Sequence, residues 1–479
     1  MSKYVTVTFD VTAFVTVAYF QITSAIGTLS LGTYRPRSRK MFVSNKIGIA
    51  LIAASFLIPL PNAQAASLSD EQISQSYIYL LGRLLITRQQ QLDFQEGFEW
   101  NELVHRKPGA VDWPNPNLDV AYSEAWVAVD ETSCTIVTVP KIEDRYYTVQ
   151  FLNGWGETLA NINERVFPNR RSGEFAACLR GADVDLPPDM MRIDLPVGHS
   201  RVLARVALGS DPDRAVELQH QFKLAATGSP KLPDIPKTPI FELEHLPAVE
   251  AFEAAEIALD SEPDLSPGLE QLQRDARAVA AIVKDAGERD RIDAVIRQHA
   301  FPEIVRAGLT IGHGVIQNGW ARPGVVGEYG LDYIARTLVN NGGIWANVKP
   351  EVLYYRGGKD DRGDDLTGDH AYKMTFPKDA LPSRFANYFW SVIAVDNVRF
   401  RVLPNPINRF LLNEQTNPKY GRDGSLTLYF ANEKPADAPD GNWLPIPKGQ
   451  KFRLTFRFYG PLDGVANGTY WPPVLVKIN

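Results

Sequence analysis

Apolar residues recur along this chain with two different periods, and the change of period divides it. Ile73, Tyr77, Leu80, Leu81, Leu84 and Leu85 stand at helical spacing behind Ser69 and Gln72, which form a capping-box pair. The spacing predicts an amphipathic helix over 69–90. Short β-prone runs follow at 122–129, 135–139, 146–152, 174–178, 191–195 and 201–207. Clusters of Pro, Gly, Asn and Asp separate them, which is the pattern of an antiparallel sandwich. A proline-rich stretch at 228–248 reads as an extended connector. The period then returns to helical over 249–259, 268–284 and 288–309. A second β-rich block starts near Val352, with its best strands at 371–376, 388–394, 425–430, 451–459 and 474–478. Tyr420 to Gly424 supplies a tight turn within it. The expected class is mainly β with a helical connector, built as two β-sandwich (jelly-roll-like) domains. No repeat with a period of 20–50 residues is visible.

The start of the chain follows neither period. From Lys46 a positive charge precedes the uncharged, mostly apolar stretch 47–60, then Pro61, Asn62 and the cleavage-like Ala63-Gln64-Ala65. The apolar stretch is short for a membrane span of about 20 residues. A cleaved signal peptide at 41–65 is expected, leaving a mature chain from near Ala66 with no stable membrane span and a periplasmic or secreted location. Residues 1–40 fit either an over-extended start or a weak membrane segment. The domain expectation is therefore 66–230 for the first helix and sandwich, 231–350 for the connector and helices, and 351–479 for the second sandwich.

Composition changes little in this picture. A net charge of −6, with no long basic stripe, argues against nucleic-acid binding. The two cysteines, Cys134 and Cys178, lie in β-like stretches and are candidates for a disulfide in an oxidising compartment, or for two buried thiols. G-x-S-x-G, P-loop, H-E-x-x-H and C-x-x-C motifs are absent from the sequence, and no cofactor is implied. The seven histidines are scattered singly. Asp360, Asp361, Asp364, Asp365 and Asp369 form an acidic loop in which Ca²⁺ is weighed against a solvated hairpin, but their spacing is not that of an EF-hand.

Two further clusters carry candidate chemistry. Trp113 to Asp119 is rich in turn formers, and Asn117, Asp119 and Tyr122 are candidates for the lining of a polar pocket. Trp320 and Arg322 lie in what reads as a loop, and Asp332, Tyr333 and Arg336 follow at helical spacing, so Arg336 is set to pair with Asp332 across one turn. Trp320, Arg322 and Tyr333 are then candidates for the wall of a ligand site at a domain junction.

These residues resemble a known family arrangement. NLDVAYSEAW from Asn117 and RYYTVQFL from Arg145 are similar to a DUF1254 domain. YFWSV from Tyr388, NPINRF from Asn405, YGRDGSLTLY from Tyr420, NWLPIPKG from Asn442 and YWPP from Tyr470 are similar to a DUF1214 domain. YGLDY from Tyr329 and the pair Gly342-Gly343 fit the segment between them. The resemblance covers most of the chain from 66 onward. It implies two sandwich domains, often exported, with no established general activity. Val120, Asn153 and the stretch 163–173 with Arg165, Arg170 and Arg171 depart from the pattern, so a pocket in the first domain is expected to be altered.

The expectation for function is a binding or structural role in the cell envelope, with a small molecule, a glycan or another envelope component as ligand. The first alternative is an enzyme acting on a small carbonyl, ester or glycan substrate, with Asp119, Asp332 and Arg336 as acid/base and anion-stabilising groups. The second is a homo-oligomeric assembly subunit.

Overall fold

Ser69 sets the start of the first helix, because its hydroxyl accepts from the Gln72 N–H while the Gln72 side chain accepts from the Ser69 N–H. In the computed structural model, which describes residues 68–109, 114–143 and 145–478, this helix (α1) runs Asp70–Glu96. It ends on Gly97 in the left-handed conformation. The segment 1–40, the leader expected at 41–65 and Trp113 lie outside the described residues. No helix among the described residues is long and apolar enough to cross a membrane. The single apolar stripe expected of α1 is replaced by burial all round, from Ser76 to Thr87. Helices cover it on several sides, and Arg83 reaches the Gly154 carbonyl of the first sandwich at 2.6 Å.

The first β block contains β1 (Val104–His105), β2 (Val120–Ala128), β3 (Thr135–Val139), β4 (Tyr147–Leu152), β5 (Thr158–Ile162), β6 (Gly173–Leu179), β7 (Met191–Leu195), β8 (His199–Ala207) and β9 (Lys223–Ala226). Helix α2 (Pro212–Gln219) precedes the last strand. The helices that follow are α3 (Ala255–Ser261), α4 (Glu270–Ile282), α5 (Ala286–Val295), α6 (Phe301–Thr310) and α7 (Tyr333–Gly342). The continuous helix expected over 288–309 contains a π turn at Ile296–Ala300 between α5 and α6. Pro302 lies just beyond it and has no N–H for the carbonyl four residues back. Helix α7 packs on α1 at Gly82, where a Cβ would sit 2.6 Å from the Thr337 Oγ1.

The second β block contains β10 (Val315–Gln317), β11 (Trp320–Arg322), β12 (Val352–Gly357), β13 (Tyr372–Phe376), β14 (Ala386–Asp396), β15 (Leu411–Asn413), β16 (Leu426–Ala431), β17 (Trp443–Pro445), β18 (Phe452–Pro461) and β19 (Val476–Lys477). The first block makes sheets of order β1-β2-β8-β4-β5 and β7-β6-β3-β9. The second makes β10-β11-β12-β18-β14-β15 and β17-β16-β13-β19. Apart from β1, β10 and β11, the two sandwiches share one strand order. Purely antiparallel sheets were expected, but β6 with β7 and β16 with β17 run parallel, at the same place in each sandwich. Cys134, immediately before β3, and Cys178 of β6 form a disulfide.

Each sandwich has its own apolar core. A further cluster lies between the sandwiches, where Tyr122, Trp126, Leu152 and Leu203 meet Trp345, Val352 and Tyr459. The outer faces of the β2-β8-β4 and β12-β18-β14 layers are therefore buried against each other rather than solvated. Residues 66–479 form one unit as a result.

Candidate functional site

The seam between the sandwiches is not filled. A cavity of about 640 Å³ lies there, walled by the outward residues of β8, β12 and β18, by the loop 114–117, by α6 and by the segment after α7. Period two explains its lining. Arg453, Thr455, Arg457 and Tyr459 of β18 face the cavity, while Phe452, Leu454, Phe456 and Phe458 fill the sandwich core. Tyr354 and Arg356 of β12, and Leu203 and Arg205 of β8, follow the same rule.

The loop holds its shape through its asparagines. Asn115 takes the left-handed conformation at φ 49, accepts from the Thr455 hydroxyl at 2.6 Å, and offers its carbonyl to Arg457 Nη2 at 2.6 Å. Asn117 Oδ1 accepts from the Asp119 N–H at 2.9 Å, and its amide donates to the Tyr459 hydroxyl at 2.5 Å. Arg205 is buried and donates to Gln150 Oε1 at 2.6 Å and the Trp345 carbonyl at 2.9 Å. Arg457 is 2 % exposed, and its Nη1 is buried without a hydrogen-bond partner. Arg453 lies 5.5 Å from the centre of the Phe400 ring. Burial, followed by the charge of Arg453, pushes Arg356 down to about 10. The arrangement can hold a partly apolar molecule by its polar groups; no nucleophile–base pair stands among these residues.

A wider cleft of about 1060 Å³ shares Tyr146 with this cavity. Asp119 lines it, 2.9 Å from the Asn413 amide. Burial raises the Asp119 carboxyl above its ordinary range, against the opposing hydrogen bonds of Ser391 and Asn413 and the charge of Arg457. Burial also lifts neighbouring Glu414 to about 7.

Of the residues singled out from the sequence, Asn117 and Tyr122 share the 640 Å³ cavity. Trp320 and Arg322 do not, because they lie in strand β11 rather than a loop, and Ala321 between them faces the cavity. Trp320 is fully buried in the second core, stands over Gly357 and donates to the Pro473 carbonyl at 2.9 Å. Arg322 ties down the Val465 and Ala466 carbonyls, both at 3.1 Å. Tyr333 packs among the helices near Tyr79.

Asp332 caps α7 through the Ala335 N–H at 2.9 Å and meets His313 Nδ1 at 2.9 Å, so it is not the partner expected for Arg336. Arg336 pairs instead with Asp264 at 2.8 Å and lies 4.4 Å from the Trp155 ring centre. Asp119, Asp332 and Arg336 thus have separate partners, and only Asp119 lines either cavity. The acidic loop also disperses. Asp360 accepts from the Arg362 and Asp364 N–H groups, Asp361 from the Lys477 N–H, and Asp369 from the Gly449 N–H, while Asp365 pairs with Lys359. Asp364 gives its carbonyl to the Asp360 N–H. Among the described residues no three His, Cys, Asp or Glu side chains converge to hold a metal.

Residues 100–226 match DUF1254 and residues 351–463 match DUF1214, each described as a protein of unknown function. No curated protein matches the sequence. The crystal structure of the VPA0106 protein of Vibrio parahaemolyticus superposes with a TM-score of 0.58 at 19 % identity, over 86 % of this chain and 100 % of that one. An uncharacterised protein from Burkholderia cenocepacia gives a TM-score of 0.42 at 13 % identity, over 85 % of this chain and 94 % of that one. The Vibrio structure speaks for the fold.

Proposed function

The chain belongs to the family that joins a DUF1254 domain to a DUF1214 domain, and from that premise we propose an exported envelope protein that binds a small ligand between its two sandwiches. The observation that carries the reading is the seam cavity itself. At about 640 Å³ it has the size of a small-molecule site, with aromatic and aliphatic walls and a few convergent polar groups. Its mouth supports the same reading, because Val305, Leu309 and Ile316 are exposed around it. The leader-like stretch at 41–65 and the Cys134–Cys178 bond support an oxidising location.

The test is a thermal-shift titration of the purified protein with maltotriose, citrate, sebacate and trigalacturonate. A bound ligand at a hundredfold excess over its Kd is expected to stabilise by about 2.7 kcal/mol. Filling the cavity by Ala321→Trp is expected to abolish the shift. A ligand that stabilises wild type and variant equally refutes the site. Fractionation of producing cells tests export: the protein is expected in the osmotic-shock fluid without residues 1–65, and an uncleaved cytoplasmic chain refutes it.

A further inference from the structure

The charge of the seam cavity narrows its ligand, given the binding reading above. Among the described residues its lining includes Arg205, Arg356, Lys359, Arg453 and Arg457, against one carboxylate, Asp365. That carboxylate is already held by Lys359 at 2.8 Å and faces Lys451 at 3.7 Å. The internal likeness of the two sandwiches shows how unusual this is. Matching the ladder that pairs Val120 with Ala207 to the one that pairs Val352 with Tyr459 sets Tyr122 against Tyr354 and Arg205 against Arg457. It also sets Glu124 against Arg356 and Arg201 against Arg453.

In the first sandwich these last positions hold a buried ion pair, with Arg201 2.6 Å from Glu124 and 3.3 Å from Asp93. In the second they hold two arginines. Arg356 spends hydrogen bonds on the Gly308 and Leu309 carbonyls, and Arg453 lies over Phe400. Neither forms a salt bridge among the described residues. Two like charges on one half-buried face repel, so the arrangement calls for an anion between them. A second anchor lies deeper, at Arg457 Nη1, which is buried without a partner beside Tyr354 and Tyr459. Asp119 acts on Arg457 from the neighbouring cleft, where it is held by Asn413.

We propose that the ligand is an elongated diacid. One acidic group bridges Arg356 and Arg453, with Lys359 at the same end, and the other meets Arg457 Nη1. Arg457 is four residues from Arg453 on one face of β18 and two from Thr455, the partner of Arg356, so the anchors lie about 7–13 Å apart along the strand. An acidic oligosaccharide and a long aliphatic dicarboxylate share this chemistry.

Calorimetric titration of the full protein separates the cases. The pairs are sebacate against 1,10-decanediol, and trigalacturonate against maltotriose; decanoate serves as the monoacid. The expected result is at least tenfold tighter binding of sebacate or trigalacturonate than of its neutral relative, and tenfold tighter binding of sebacate than of decanoate if the ligand is aliphatic. Arg356→Glu rebuilds the ion pair of the first sandwich. It is expected to weaken diacid binding at least thirtyfold while leaving the melting temperature unchanged or raised. Arg453→Lys, which keeps the charge, is expected to retain most of the binding. Neutral and acidic probes binding alike, or undiminished diacid binding in Arg356→Glu, overturns the diacid and leaves the cavity reading standing. A panel in which no probe of either charge binds overturns both.

Discussion

Glu414 and Asp119 carry carboxyls raised by the same burial at the seam. An unfolded glutamate titrates near about 4.3, and Glu414 in the fold near about 7, so between these values the folded protein keeps a proton that the unfolded chain releases. The resulting stabilisation is complete below about pH 4 and is lost as pH rises through about 7. Asp119 contributes in the same direction. Glu414→Gln is expected to flatten the decline between pH 4.5 and 7.5 by about 1–2 kcal/mol, since the half-buried side chain keeps some water. Urea denaturation across that range measures it, and an unaltered slope rules the assignment out. At this scale the sequence was partly legible. Asn117 and Tyr122 stood out because turn formers and aromatics concentrate there. Arg205 and Arg457 did not, because an arginine on the polar face of a strand looks the same whether that face meets water or another sheet. Trp320 and Arg322 misled for the converse reason: a three-residue strand is too short for its alternation to separate core from wall.

Elements were read best where local rules dominate. The capping box placed the start of α1 within a residue, and 135–139 and 191–195 were found to the residue because alternation and flanking turn formers agree. The sequence did not reveal β1, β5, β9, β10, β11, β15 or β17, which are five residues or fewer and owe their place to a neighbour. The parallel pairs were equally hidden, because direction depends on how the chain crosses over rather than on any residue in the strand. The disulfide belongs to this scale, since it joins the start of β3 to β6 across a sequence separation of 44 residues. Closing a loop of that length is expected to add about 2–4 kcal/mol. Guanidinium denaturation with and without reductant, alongside a Cys134→Ala/Cys178→Ala double variant, checks this. Equal stability of oxidised and reduced protein would leave the bond without a stabilising role.

For the whole molecule the sequence suggested two sandwiches and a helical connector, and missed that α1 joins the later helices and that the sandwiches face each other. The second point has an energetic centre in Glu351, just before β12. Its carboxylate accepts from Arg165 Nη2 at 2.6 Å, Asn163 at 2.9 Å and the Tyr146 hydroxyl at 3.2 Å, all from the first sandwich. Glu351→Ala leaves Arg165 with Glu164 as its remaining counter-charge, removes an acceptor from Asn163 and Tyr146, and is expected to cost about 1–3 kcal/mol. Scanning calorimetry should then resolve two transitions where the wild type gives one; a single transition at the original temperature would dissociate Glu351 from the coupling. The position of α1 has a different consequence, in time. Thr337 closes onto the Ile78 carbonyl across 259 residues, so the first of the described helices to be made is among the last to be covered. At about 5–20 residues per second of synthesis, its leucines and tyrosines wait roughly 13–50 seconds for α7 to be made. Through that interval the nascent chain is a ready client for a chaperone that shields apolar helix.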